Sequence, residues 1–218
     1  MMKHYCGKRL VGAWLGTAIV AAMNLSVLAQ TNNIKLSYDF SLSREEKVKL
    51  AESAAPPEVS SKASVYVLDS TGYVKTRDGS NGFTCFVDRQ ALVNLEPTCF
   101  DAEGSATTFL TRLFVEEQRA KGKSEEQIKT DLDEGYRTGK FQAPRKPGIV
   151  YMLSDLGFLL IPTAGKVVHL PPHLMFYAPY ATDKDLGTPP STKYMPRVIR
   201  PGQPDAYIIV MAPLEGMH

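Results

Sequence analysis

Apolar positions are distributed along this chain in three distinct ways: one unbroken block, then a stretch of short periodic runs, then strand-like segments separated by proline. The block, residues 10–23, holds fourteen almost wholly apolar residues and is preceded by Lys3, His4, Lys8 and Arg9. The small-residue site Val27-Leu28-Ala29 follows it, which is the layout of a secretory signal peptide cut before Gln30. A membrane anchor is the competing reading, but a span needs about 20 apolar residues, and Asn24 and Ser26 interrupt the run first. Cys6 lies before the apolar run, so no cysteine stands where a lipid attachment needs one. Export with no membrane anchor left after cleavage is therefore expected.

Beyond the leader, Ile34, Leu36, Tyr38 and Phe40 alternate weakly, as in an edge strand or a loose tail. Ser43 with Glu46 makes a capping-box pattern, and the helix it opens runs through Ala54 until Pro56-Pro57. From Ala63 to Val87 the period becomes two, broken at Ser70-Thr71-Gly72 and at Asp78-Gly79-Ser80-Asn81-Gly82, which predicts a three-stranded meander. Phe83, Cys85 and Val87 share one face of its third strand. After Cys99, Phe109, Leu110, Leu113 and Phe114 recur at helical spacing, with Arg112, Glu116, Glu117, Arg119 and Lys121 expected on the solvated side. Gly122 ends that helix, and Ser124 with Gln127 opens a second one carrying Ile128 and Leu132.

Ten of the fifteen prolines lie from Pro162 onward, which excludes long helices there. Residues 149–153 and 207–212 read as strands buried on both faces. Residues 158–161 and 166–170 flank the turn Pro162-Thr163-Ala164-Gly165 and read as a hairpin. The expected architecture is α+β: a single mainly antiparallel sheet with a helical hairpin packed on one face. Three parts are expected: a signal peptide at 1–29, an N-terminal segment with a short helix at 30–62, and one globular α+β domain at 63–218.

Charge narrows the function classes. The whole chain carries +2, and losing the three basic residues of the leader takes it to −1. Residues 116–129 mix both signs rather than concentrating Lys and Arg, so a nucleic-acid partner is not expected. Cys85 and Cys99 are the two thiols outside the leader, and in an oxidising compartment their pairing as a disulfide is expected over two buried free thiols. Their spacing rules out a Cys-x-x-Cys redox pair.

Asn81-Gly82-Phe83-Thr84-Cys85, Cys99-Phe100-Asp101-Ala102-Glu103-Gly104, Gly148-Ile149-Val150-Tyr151-Met152-Leu153, Pro172-His173-Leu174-Met175-Phe176-Tyr177-Ala178-Pro179-Tyr180 and Pro204-Asp205-Ala206-Tyr207-Ile208-Ile209-Val210 together resemble a set of exported bacterial proteins to which no activity is attached. The resemblance covers most of the chain after about residue 44. It implies a bacterial origin and a single exported domain, and it brings no substrate or catalytic residue with it.

Candidate chemistry is sparse. His169-Leu170-Pro171-Pro172-His173 places two imidazoles four apart, but the prolines forbid the helix on which such a pair shares a face. Convergence of the two across a bend, with Asp101 or Glu103 as a carboxylate ligand, would give a metal-assisted hydrolase. The competing reading has His169 facing outward from a strand and His173 donating a hydrogen bond to a loop carbonyl. Asp101 and Glu103 read equally as caps of a helix N-terminus. Ser154, Asp155 and His173 can be drawn as a hydrolytic set, yet no G-x-S-x-G elbow supports it. Phosphate loops, nucleotide fingerprints and the H-E-x-x-H and calcium-loop patterns are absent from the sequence, so no cofactor is implied. Residues 173–180 are rich in Tyr and Pro, which suits either a rigid recognition loop or a core plug made by Leu174, Phe176 and Tyr177. These features converge on a periplasmic or secreted, soluble, non-catalytic binding or structural domain of the cell envelope. It would meet a small molecule or envelope protein through Asp101, Glu103, His169, His173, Tyr177 and Tyr180. The alternative is the metal-assisted hydrolase using His169, His173 and Asp101 or Glu103.

Overall fold

Ser43 starts the first helix as its sequence predicts. Its hydroxyl accepts the Glu46 N–H at 3.3 Å while the Glu46 carboxylate accepts the Ser43 N–H at 2.8 Å, closing a capping box at the head of α1 (Arg44–Glu52). Pro57 occupies the first position of the short α2 (Pro57–Ser60), where a missing N–H costs nothing. The computed structural model describes residues 42–89, 94–161, 166–187 and 196–211; the leader, the alternating segment 30–41 and the turn 162–165 lie outside these.

Strands β1 (Ser64–Asp69) and β2 (Gly72–Arg77) form a hairpin, but β3 (Thr84–Asp88) does not continue a meander. It lies on the far side of β1 and runs parallel to it, pairing Ser64 with Thr84 and Val65 with Cys85. The reason is local. β2 delivers the chain beside the start of β1, and the cluster 78–83 then passes around that start. Gly79 N donates to Ser64 Oγ at 3.0 Å, Ser80 N to Lys62 O at 2.8 Å and Ser64 N to Phe83 O at 2.8 Å. A Cβ at Gly79 would stand 2.2 Å from Ser64 N, so only glycine permits the crossing.

Next come β4 (Glu96–Phe100), α3 (Ala102–Ala106), α4 (Thr108–Ala120) and α5 (Glu125–Arg137), the last opened by the Ser124–Gln127 capping box. The second half adds β5 (Ile149–Met152), β6 (Phe158–Ile161), β7 (Lys166–His169), β8 (His173–Tyr177), α6 (Asp183–Leu186), β9 (Arg197–Ile199) and β10 (Tyr207–Met211). Among the described residues eight strands make one sheet in the order β2-β1-β3-β4-β5-β8-β10-β9, antiparallel except at β1/β3, and β6/β7 form a separate ribbon joined to it through the Leu95–Phe158 bridge. The class is α+β.

Each face of the sheet has its own core. Phe86, Phe100, Val150, Met175, Tyr207 and Ile209 pack with Phe109 of α4 on one side. On the other, Ala51, Ala54 and Ala55 of the α1 region cover Val65, Cys85 and Cys99, with Phe83 and Val87 beside them. The helical hairpin thus takes one face, and α1 covers part of the other. β5 and β10 alternate between buried and half-exposed positions rather than being buried on both faces: Val150, Tyr207 and Ile209 point inward, while Val210 is 39% exposed. The same alternation corrects the core plug, because β8 turns Met175 and Tyr177 inward and leaves Phe176 exposed. Among the described residues no helix is long and apolar enough to cross a membrane.

Cys85 and Cys99 face each other across β3 and β4, their Cα atoms 4.1 Å apart, and are joined as a disulfide beneath α1. Closing a loop with a sequence separation of 14 stabilises by about 3 kcal/mol on the loop-entropy account. Replacing both by alanine should lower the unfolding free energy by about that amount in urea titration, with far-ultraviolet circular dichroism unchanged.

Candidate functional site

Asp101 sits at the exit of β4 with both carboxylate oxygens engaged. Its Oδ1 accepts the Gly104 N–H, capping α3, and also the Tyr177 hydroxyl, both at 3.0 Å, while its Oδ2 accepts Ile149 N at 2.9 Å. One carboxylate thereby fixes a helix start, the entry of β5 and the end of β8. A Cβ at position 104 would lie 1.8 Å from the Tyr177 hydroxyl oxygen, so glycine is what admits the ring. Burial first, then the negative charge of Asp101, pushes the Tyr177 hydroxyl well above its usual range. Glu103 accepts the Arg145 N–H at 2.7 Å and so ties α3 to the loop before β5.

The remaining residues singled out in the sequence lie elsewhere. His173 is buried at the opposite end of β8 from Tyr177, about 13 Å away at the usual rise per strand residue. Its Nδ1 donates to Pro171 O at 2.8 Å, and burial holds the ring below its ordinary pKa against that hydrogen bond, so it sits neutral. His169 is exposed on the separate ribbon, with Nε2 2.8 Å from Asp155 O and its ring edge-on to Phe158. Tyr180 is 62% exposed in a left-handed turn at φ 64°. Asp101 and Tyr177 are therefore brought together by a direct hydrogen bond, whereas His169, His173 and Tyr180 are dispersed. Among the described residues, no three His, Cys, Asp or Glu groups come close enough to hold a metal ion.

A different polar centre lies under α4, and it corrects the expectation for Arg112, Glu116 and Arg119, whose side chains are buried, whereas Glu117 and Lys121 do face solvent. Arg112 and Glu116 are 8% and 4% exposed. They share a helical face with Thr108, one turn apart, and that face looks onto the ends of β3 and β10. Arg112 Nε lies 3.0 Å from Asp88 Oδ2, without the alignment of a hydrogen bond, and its terminal nitrogen is 3.8 Å from Asp205. Arg200 donates to Asp205 at 2.8 Å. Glu116 pairs with Arg89 and with Arg119, the latter at 2.6 Å, and Arg119 also makes a two-pronged contact with Glu125 at 2.8 Å for each prong, bolting α4 to the start of α5.

These charges alter one another. Burial pushes the Asp88 carboxyl up, against the pull of Arg112. Glu96 lies directly across the β3/β4 ladder from Asp88, and burial, with the Asp88 charge added, pushes it up to about 7 although Asn94 donates to it at 2.6 Å. Burial works against the Arg112 charge, but Asp88, Tyr207 and Asp205 more than reverse this and raise its pKa. Burial, then Asp205, pushes the Tyr136 hydroxyl up to about 12.

Between α4, α5 and the turn at 200–205 opens a cleft of about 200 Å³. Its floor carries Arg112 and Tyr136, and the Tyr136 hydroxyl is buried without a well-formed hydrogen bond, although Thr111 lies beside it. Asp88 reaches the cleft but Glu96 does not, so the two carboxylates do not flank a common ligand position. The residues of this cleft were missed in sequence because charge on a helix was read as solvation. The signal was present: Arg112 and Glu116 stand three and seven positions after the core residue Phe109, on the apolar stripe.

No family model matches this chain, no curated protein matches it, and no solved structure matches it.

Asp101→Ala removes an N-cap and leaves the Tyr177 hydroxyl buried without its acceptor, and should cost about 2–4 kcal/mol in denaturant titration. The pH dependence follows from Glu96. Its folded-state pKa of about 7 lies above the ordinary 4.5, so the folded protein keeps a proton that the unfolded chain releases, and stability falls as pH rises through that window. Glu96→Gln, which mimics the protonated acid, should be more stable than the parent at pH 8, and the gap should close towards pH 5 in paired denaturation curves.

Proposed function

We propose that this chain is an exported bacterial envelope protein that acts by binding, and that it holds a small polar ligand in the cleft between α4, α5 and the 200–205 turn. The observation that carries the reading is Arg112. A guanidinium has five N–H donors, and this one is nine-tenths buried yet makes only two ionic contacts among the described residues, one of them at 3.8 Å. Buried donors are ordinarily paired, and donors left open at the floor of a cleft are what a ligand supplies with acceptors. Tyr136 adds a buried hydroxyl without a well-formed hydrogen bond at the same place.

The Asp101 and Tyr177 junction argues for architecture rather than chemistry, since every contact described there fixes one element to another. Export is supported by the apolar leader with its small-residue site and by the disulfide beneath α1, a bond that persists in oxidising compartments.

Binding is tested on the secreted protein by following backbone amide resonances while adding three probe classes: neutral monosaccharides, free amino acids and dicarboxylates. At least one class should shift the amides of Thr111, Arg112 and Tyr136 in a saturable way. Tyr136→Phe removes only a hydroxyl that lacks a well-formed hydrogen bond, so it should change stability by less than about 0.5 kcal/mol while weakening that response. Silence of all three classes would rule the cleft out as a binding site. Intact mass should begin at Gln30, with both cysteines resistant to alkylation until reduced; retention of Met1 would count against export.

A further inference from the structure

The cleft is lined by five acidic and five basic side chains, and most of them are already matched to one another in the pairs described above. From this balance we infer that the cleft binds a neutral sugar ring of monosaccharide size, an inference that rests on the binding reading. Three features of the lining lead there.

The first is charge. A carboxylate arriving at Arg112 would enter a region where Asp88 and Asp205 already answer that guanidinium, and Arg200 in turn answers Asp205. An ammonium group would meet carboxylates already held by arginines. Either ion would be taken from water into partial burial without a counter-charge of its own, which is costly. An uncharged ligand avoids that cost.

The second is the alternation of donors and acceptors. Asp88 takes the Arg89 N–H at 2.8 Å besides facing Arg112, and Asp205 takes Arg200; this still leaves lone pairs on both carboxylates and N–H groups on Arg112, because a carboxylate offers about four acceptor sites and a guanidinium five donors. A ligand lying across such a surface has to accept and donate from neighbouring atoms. Vicinal hydroxyl groups do this, each taking an N–H bond while giving its proton to a carboxylate. The Tyr136 hydroxyl can complete the same pattern from the floor.

The third is shape. At about 200 Å³ the cleft is smaller than the usual 300–1,000 Å³ of drug-sized sites, which restricts it to one ring. Val115, Ile128 and Leu132 supply an apolar strip on the helical walls, suited to the C–H face of a pyranose, while the polar groups meet its hydroxyl edge. Glycine, acetate and succinate have no such two-sided character.

The test uses the isotope-labelled secreted protein, titrated separately with glucose, galactose, mannose and N-acetylglucosamine, and in parallel with acetate, succinate and glycine. At least one sugar should give saturable shifts confined to α4, α5 and the 200–205 turn. Tyr136→Phe should weaken that sugar about five- to tenfold, the loss of one hydrogen bond. Arg112→Lys, which keeps the charge facing Asp88 but loses the planar fork, should abolish the response while the amide spectrum stays folded. Saturation by a charged probe with all four sugars silent would overturn the sugar assignment and leave the cleft as a binding site. Silence of every probe would overturn both.

Discussion

The burial of a guanidinium is the constraint around which the helical side of this protein is arranged. Arg112 lies where a core residue is expected, one helical turn from Phe109, and a charge removed from water needs counter-charges at fixed positions. Asp88 at the end of β3 and Asp205 before β10 fill that need, and so α4 is registered at once against an early strand and a late one. Glu116 repeats the device a turn later with Arg89 and Arg119, and Arg119 passes the link on to α5. Replacing such groups by apolar ones often leaves a protein as stable or more so, and ion pairs of this kind are better understood as setting geometry than as adding stability.

Two polar centres of opposite character result. At Asp101 every described contact is short and directed, and three elements meet in a closed arrangement around one carboxylate. At Arg112 the contacts are ionic but loosely aligned, and hydroxyl groups nearby lack well-formed partners. Saturation marks a residue that holds the fold, and incompleteness in a concave place marks one open to a ligand. Conspicuousness in the sequence pointed to the first centre, since Asp101, Glu103 and Tyr177 sit among rare or clustered residue types.

Local signals were read well because local physics determines them. Both capping boxes, the pairing of β6 with β7 and the shared face of Phe83, Cys85 and Val87 all depend on neighbours within a few residues. Of the stripe read at Phe109, Leu110, Leu113 and Phe114, only Leu110, 45% exposed, turns away from the packed side. The parallel placement of β3 was not legible, since period-two patterning specifies a strand but not the edge on which it pairs. The cleft was hidden for a related reason. Whether Arg112 faces water or Asp205 depends on a residue 93 positions later in the chain, and spacing along one helix carries no information about that partner.

The sheet order has a further consequence at its margins. Among the described residues β2 and β9 form the two outer edges, and both are poorly suited to recruiting another strand. β2 bears Lys75 and Arg77 and is twisted by an irregularity in its pairing with β1 between Val65 and Tyr66. β9 is three residues long, follows Pro196 and begins with Arg197. Charge, twist and shortness at these margins disfavour the backbone zippering by which broad sheets add on to their copies.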